Sequence, residues 1–219
     1  MKENNQVSVP VIKRLPRYHR YLEELKNMGI VRISSKELSV RMGLTASQIR
    51  QDLNCFGGFG QQGYGYNIEQ LYNEIGLILG INKKSKAIMI GAGNLGHAIA
   101  THLHFENRGF DLIGIFDNNP NVIGTKVGGR TVLDSDTLEE FCKNEQPVVA
   151  ILCIPGEYAA ENADKLVSFG IKGFWNFTQY DLMHRYKGVA VENVHLGDSL
   201  MTLCYQINKL SDSEDEDQK

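Results

Sequence analysis

The chain has 219 residues, 42% of them hydrophobic, enough for one large domain or two modest ones. Its net charge is −3, and no apolar stretch approaches the ~18 residues of a membrane span. The polar start Met1–Gln6 lacks the apolar core of a signal peptide, and Cys55, Cys142, Cys153 and Cys204 lie far apart without a C-x-x-C pair; a cytoplasmic protein without a metal site is expected.

Charge is unevenly spread. Residues 1–84 carry twelve Lys/Arg against seven Asp/Glu, a net +5. Residues 85–210 carry ten against fourteen, and residues 211–219 one against five, each a net −4. A basic head suggests a polyanionic partner. The tail 211–219, rich in Ser, Asp and Glu, is expected to be solvated and disordered.

In the head, Tyr18, Tyr21, Leu22 and Leu25 have helical spacing, and Gly29 supplies a stop. Ser34-Ser35-Lys36-Glu37 has the form of a capping box, which predicts a short helix to Met42 ending at Gly43. Thr45 is placed to cap a further helix from Ala46 to Cys55. A long helix, then two short helices joined by a tight turn, reads as a helix-turn-helix.

In the helix 46–55, Ile49 and Leu53 face inward at i, i+4. Ser47, Gln48, Arg50 and Gln51 are left largely outward, with side chains suited to base edges or phosphates. The segment Phe56–Tyr66 has five glycines and is expected to form a hairpin wing, carrying Gln61, Gln62 and Tyr64, that reaches an adjacent minor groove. A helix from Asn67 through Leu79 follows. The bland alternative for the whole head is a small helical dimerisation module with a solvated basic face; capping box, turn and wing in this order favour nucleic-acid binding.

The run Ala87-Ile88-Met89-Ile90 predicts a strand, and Gly91-Ala92-Gly93-Asn94-Leu95-Gly96 after it reads G-x-G-x-x-G. An amphipathic helix is expected over His97–Phe105. Strand, glycine turn and helix form the arrangement whose backbone N–H groups hold a dinucleotide pyrophosphate. A second strand, Asp111–Asp117, ends in an acid 21 residues beyond Gly96. That spacing suits a carboxylate accepting from a ribose 2′-OH, and its charge repels a 2′-phosphate, so NAD(H) is expected over NADP(H). Further strands at Val148–Ile154 and Lys172–Trp175, bridged by a helix Glu157–Phe169, imply a doubly wound parallel sheet. His97, His102 and His104 lack partners at ligand spacing.

With both halves read, the chain resembles the Rex family of bacterial redox-sensing transcriptional repressors. The resemblance covers about residues 8–210 and rests on Arg14-Leu15-Pro16-Arg17-Tyr18, Ser34–Leu38, Gln48–Asp52, Phe56-Gly57, Gly63–Asn67, the glycine turn and Gly170–Gly173. It implies an α/β protein with a winged helix-turn-helix over 1–84, a Rossmann NAD(H) domain over 85–195 and a C-terminal helix over 196–210 exchanged between the subunits of a homodimer. Leu200, Leu203, Cys204 and Ile207 supply an apolar stripe for that exchange, with packing on their own domain as the alternative.

The resemblance further implies roughly palindromic operator DNA bound when NADH is scarce and released when it accumulates, with NAD+ competing for the site. It implies DNA contacts from Arg14 and Arg17 beside Ser47, Gln48, Arg50, Gln51, Gln61, Gln62 and Tyr64. Two departures stand out. Gln61 and Gln62 occupy wing positions that are basic in many relatives, which weakens phosphate attraction. His195-Leu196 stands where many have Asp-Leu, the Asp meeting the Arg matched here by Arg14; His195 and Asp198 are its candidate substitutes. No acid/base pair for hydride transfer is evident, so a catalytic role is not expected. An NAD-dependent oxidoreductase with a helical dimerisation domain is the alternative, and a nucleotide-binding scaffold of the CoA-ligase type is a third reading that the winged-helix signature disfavours.

Overall fold

The computed structural model describes residues 7–57, 60–61 and 64–216, and for 60–61 and 211–216 the backbone alone. The chain forms two compact units that divide between Lys83 and Lys84.

The first unit begins with α1 (Val9–Asn27), which has Pro10 in its opening turn, where a backbone N–H is not needed. Val11, Leu15, Tyr18, Leu22 and Leu25 form its buried stripe. After β1 (Arg32–Ile33) comes α2 (Ser35–Met42), capped as expected: Ser34 Oγ accepts from Glu37 N at 3.1 Å and Glu37 Oε2 accepts from Ser34 N at 2.8 Å. α3 (Ala46–Asn54) is capped by Thr45, whose Oγ1 accepts from Gln48 N. Caps of this kind contribute about 1 kcal/mol each.

β2 (Gly60–Gln61) and β3 (Gly65–Asn67) form the expected hairpin, and β1 completes an antiparallel sheet ordered β1-β3-β2. α4 (Ile68–Leu79), capped by Asn67, packs on α1 through Ile68, Leu71 and Ile75. This helix-turn-helix with a small sheet is a winged helix.

The second unit is a seven-stranded sheet. Its strands are β4 (Ser85–Ile90), β5 (Phe110–Asp117), β6 (Lys126–Val127), β7 (Arg130–Asp134), β8 (Val149–Leu152), β9 (Gly173–Asn176) and β10 (Ala190–Asn193). Their order is β10-β9-β8-β4-β5-β7-β6, parallel throughout except for the edge hairpin of β6 with β7. Setting that edge strand aside and counting from β4, this is the 3-2-1-4-5-6 order of a dinucleotide-binding fold, with its topological switch between β4 and β8.

The helices are α5 (Asn94–His102), α6 (Leu138–Glu145), α7 (Ala159–Ser168) and α8 (Leu196–Glu216). Ile88 and Ile90 pack in one cluster with residues of α6 and α7, while Met89 joins Ala100 of α5 in another. Burial of alternate residues on opposite faces is why β4 reads as a continuous apolar run.

The start of α5, the end of α8 and several whole elements differ from the expectations. α5 starts at Asn94 rather than His97, because Gly93 in extended conformation already serves as its N-cap. The hairpin β6–β7, the helix α6 and the strand β10 were not anticipated. α8 runs on to Glu216 instead of stopping at Leu210, so residues 211–216 are helical rather than disordered. No Gly or Pro in that stretch interrupts the helix. Residues 217–219 lie outside the described residues. Among the described residues, no helix is long and apolar enough to cross a membrane.

Candidate functional site

The glycine turn lies where β4 ends. Gly91 N donates to Phe116 O on β5 and Cys153 N donates to Ile90 O, each at 2.8 Å, so three strand ends are joined there. Gly91 has φ +96°, and a β-carbon on it would lie 2.5 Å from Cys153 O; both facts demand glycine. A β-carbon on Gly96 would lie 2.1 Å from Gly91 O, so helix and strand meet without room for a side chain. Gly93 is different: nothing stands within 4 Å of its β-carbon position. Two glycines thus serve the protein's own packing, and the middle one leaves open space for a ligand to meet the backbone at the N-terminus of α5.

Asp117, at the end of β5, meets this turn directly. Its Oδ2 accepts from Ala92 N at 2.7 Å and its Oδ1 accepts from Asn119 N at 2.8 Å. Gly91, Ala92, Gly93, Asn94, Leu95, Gly96 and Asp117 are therefore brought together. Asn94 and Leu95 lie in the first turn of α5, with Leu95 partly exposed.

Farther along the same sheet edge, a cavity of about 440 Å³ is lined by residues after β9 (Phe177, Thr178, Gln179) and by the segment Val194–Asp198 that opens α8. Its backbone is fixed by a polar chain: buried Asn176 donates to Asn193 Oδ1 and accepts from Thr178, and Asn193 donates to Asp181. His195 Nδ1 stands 3.6 Å from Asp198 Oδ2, so the two residues weighed as substitutes for the family's Asp lie side by side. His195 Nε2 is buried without a hydrogen-bond partner. The sequence singled out His195 and Asp198 but gave no sign of Phe177–Gln179 or of the cavity that the two separate segments assemble.

In the first unit, α3 presents Ser47, Arg50 and Gln51 to solvent while Ile49, Asp52 and Leu53 are buried. Arg50 donates to Ser35 Oγ at 3.0 Å, a brace between α2 and α3. Arg17 is exposed on α1, and Tyr64 is 70% exposed beside β3, its carbonyl accepting from Arg32. Gln61 is in β2. Gln62 lies outside the described residues.

Arg14 departs from the expectation of a DNA contact. Its guanidinium is taken in bidentate fashion by Asp52, with Nε and Nη2 at 2.6 and 2.7 Å from the two carboxylate oxygens. Asp52 is 1% exposed and also accepts from Tyr18 Oη at 2.9 Å and Gln48 Nε2 at 2.8 Å. An ionised group so buried must be paired, and Arg14 is the charge available to it. Burial pushes the Asp52 carboxyl up, but the hydrogen bonds from Arg14, Gln48 and Tyr18 outweigh it and hold the carboxyl below its ordinary range. For Tyr18, burial first and then this carboxylate push the phenol up. Gln48, expected outward, is half-buried by the same contact. The sequence carried a sign of this: Asp52 falls on the inward face beside Ile49 and Leu53, and a buried acid needs a partner.

Residues 6–54 match the family model of a putative DNA-binding protein N-terminus, and residues 82–180 match that of a CoA binding domain. A redox-sensing transcriptional repressor Rex from Caldanaerobacter subterraneus subsp. tengcongensis is 57% identical over 209 residues, covering 95% of this chain and 93% of the relative. The crystal structure of RSP in complex with beta-NAD+ and operator DNA is 54% identical, with TM-score 0.86 over 97% of this chain and 98% of that one. RSP in complex with beta-NADH is 51% identical, with TM-score 0.87 over 96% and 98% of the two chains. Similarity on this scale, along nearly the whole length and through both units, is to repressors and not to enzymes: the chain belongs to the Rex family of redox-sensing transcriptional repressors.

Proposed function

We propose that this protein is a cytoplasmic homodimeric repressor that binds roughly palindromic operator DNA when NADH is scarce and leaves it when NADH accumulates. The observation that carries the reading is the pairing, in one chain, of a winged helix with a glycine turn whose middle glycine is open and whose neighbour Ala92 is bonded by Asp117. The pyrophosphate is held by the backbone of Gly91–Gly96 at the start of α5, and Asp117 takes the adenosine ribose and excludes NADPH.

The nicotinamide occupies the cavity beside Phe177, Val194 and Leu196. The reduced ring is neutral and the oxidised ring is a cation, so the apolar side of the lining, Phe177, Val194 and Leu196, favours NADH, while Thr178, Gln179, His195 and Asp198 make the rest of the wall polar. The related structure with operator DNA contains the oxidised nucleotide, in keeping with this assignment. Because the cavity wall includes the first residues of α8, ring occupancy bears on the helix that reaches the partner subunit.

α8 leaves Leu200, Leu203 and Ile207 at 68%, 48% and 53% exposed, which favours exchange with a second copy over packing on its own domain. Ser47, Gln48, Arg50 and Gln51 on α3 enter the major groove, Gln61, Gln62 and Tyr64 serve the wing, and Arg17 meets phosphate. Differential affinity for the two nucleotides then biases two dimer arrangements, one of which sets both recognition helices in successive major grooves.

The test is fluorescence anisotropy of a labelled operator duplex with NADH, NAD+ and NADPH titrated separately. Release by NADH at concentrations where NADPH is inert is expected; DNA binding indifferent to NADH overturns the reading.

A further inference from the structure

Gln48 is tethered at one end. Its amide approaches Asp52 across one turn of α3, with Nε2 at 2.8 Å from Oδ1. A carboxylate only accepts hydrogen bonds, so the nitrogen must face it and the amide cannot be flipped. Arg14 and Tyr18 hold that carboxylate from α1, and Asp52 stays ionised and fixed in place at neutral pH. What Gln48 has left is its oxygen and a second N–H. Together these form an acceptor–donor pair, the complement of the N6 amino group and N7 of adenine in the major groove.

We propose that Asp52 is a positioning residue for base recognition: by fixing the amide of Gln48, it makes adenine the preferred base at one symmetric operator position. This rests on the reading that α3 enters the major groove. Asp52 itself touches no DNA. Its work is to remove the flipped amide, whose atoms would be presented in the opposite order, and to spare Gln48 the ordering of a free side chain at the moment of binding.

The experiment measures affinity for an operator panel in which each half-site position is changed symmetrically to all four bases. The proteins compared are the wild type, Gln48→Ala, Asp52→Asn and Ile49→Val. The wild type should lose about tenfold in affinity when adenine is replaced at one position, the low end of what a good bidentate base contact discriminates. Gln48→Ala should flatten the preference at that position alone, and Asp52→Asn should flatten it too, because a neutral amide accepts either orientation of Gln48.

Ile49→Val loosens the buried side of α3 without touching Asp52 and should keep the preference. If Gln48→Ala alters no position, the placement of Gln48 in the groove is wrong and the proposal falls with it. If Gln48→Ala flattens one position and Asp52→Asn leaves it intact, groove reading stands and Asp52 is not the positioning group. A Gln48-dependent preference for any base other than adenine also overturns it. Equal flattening by Ile49→Val means that general loosening of α3 is the cause, and overturns it as well.

Discussion

Gly96 approaches Gly91 so closely that a β-carbon on the first would lie 2.1 Å from the carbonyl oxygen of the second. The contact sets how tightly α5 seats on the end of β4. Gly93, between them in sequence, has open space around its β-carbon position. Gly96→Ala should therefore cost about 2–3 kcal/mol of stability through overpacking and reduce NADH affinity along with it. Gly93→Ala should leave the thermal midpoint nearly unchanged while lowering NADH affinity about tenfold or more, because the new methyl group would fill the open space where the pyrophosphate is proposed to approach. Thermal melts beside NADH titrations separate the two; equal loss of stability in both variants contradicts the division of roles.

Asp117→Ala removes the acceptor of Ala92 N–H as well as the proposed ribose contact. NADH affinity should fall by about tenfold or more, as hydrogen bonds to charged groups contribute roughly 1.5–3 kcal/mol. NADPH should gain relative to NADH, since the charge that repels a 2′-phosphate has gone. Titration of both nucleotides checks it, and an unchanged ratio assigns Asp117 to the turn alone.

Arg14→Leu leaves the Asp52 carboxylate buried and unpaired. The first unit should lose about 3 kcal/mol in denaturant unfolding. Because the folded carboxyl titrates below its unfolded value, its contribution is present above about pH 4 and is lost as pH falls through the folded value. The wild type should show this acid limb in stability, and Asp52→Asn, with no charge to protonate, should show it weakened. An acid limb identical in both proteins contradicts the assignment.

Leu203→Glu with Ile207→Glu places charges in the exposed stripe of α8 and should convert a dimer to a monomer in sedimentation. Thiol labelling gives a second reading. Cys204 lies on α8 and should be slow to react in the wild-type dimer but fast in the variant. Exposed Cys55 should react quickly in both. Burial pushes the Cys142 thiol up to about 11 and the Cys153 thiol up to about 12, so these two should stay slow in both proteins. Cys204 reacting as fast in the wild type as in the variant contradicts the exchange.

Features written in neighbouring residues were legible in the sequence. Ser34 with Glu37, Thr45 before α3, and the spacing of the glycine turn to Asp117 all act over short distances or through a repeated pattern. The Asp52 cluster was not read, because Arg14 lies 38 residues away and its charge is as suited to phosphate as to a buried acid. The cavity at His195 was likewise hidden: it joins the segment after β9 to the start of α8, and neither segment alone has a ligand pattern. The continuation of α8 was obscured by its charge, which marks solvation but does not by itself end a helix.

The hydrogen bond that Ala92 N–H donates to Asp117 bears on how a signal is separated from its carrier. It fixes the glycine turn with the protein's own groups, and the part of the nucleotide proposed to lie there is the same in NADH and NAD+. A grip equal for two ligands moves no equilibrium, however strong it is. On the proposed reading, the glycine turn sets how much total nucleotide the protein carries, and the cavity around Phe177 and His195, which shares no lining residue with the turn, sets which oxidation state it obeys. Changes at one end retune sensitivity to pool size, and changes at the other retune the ratio at which the gene is released.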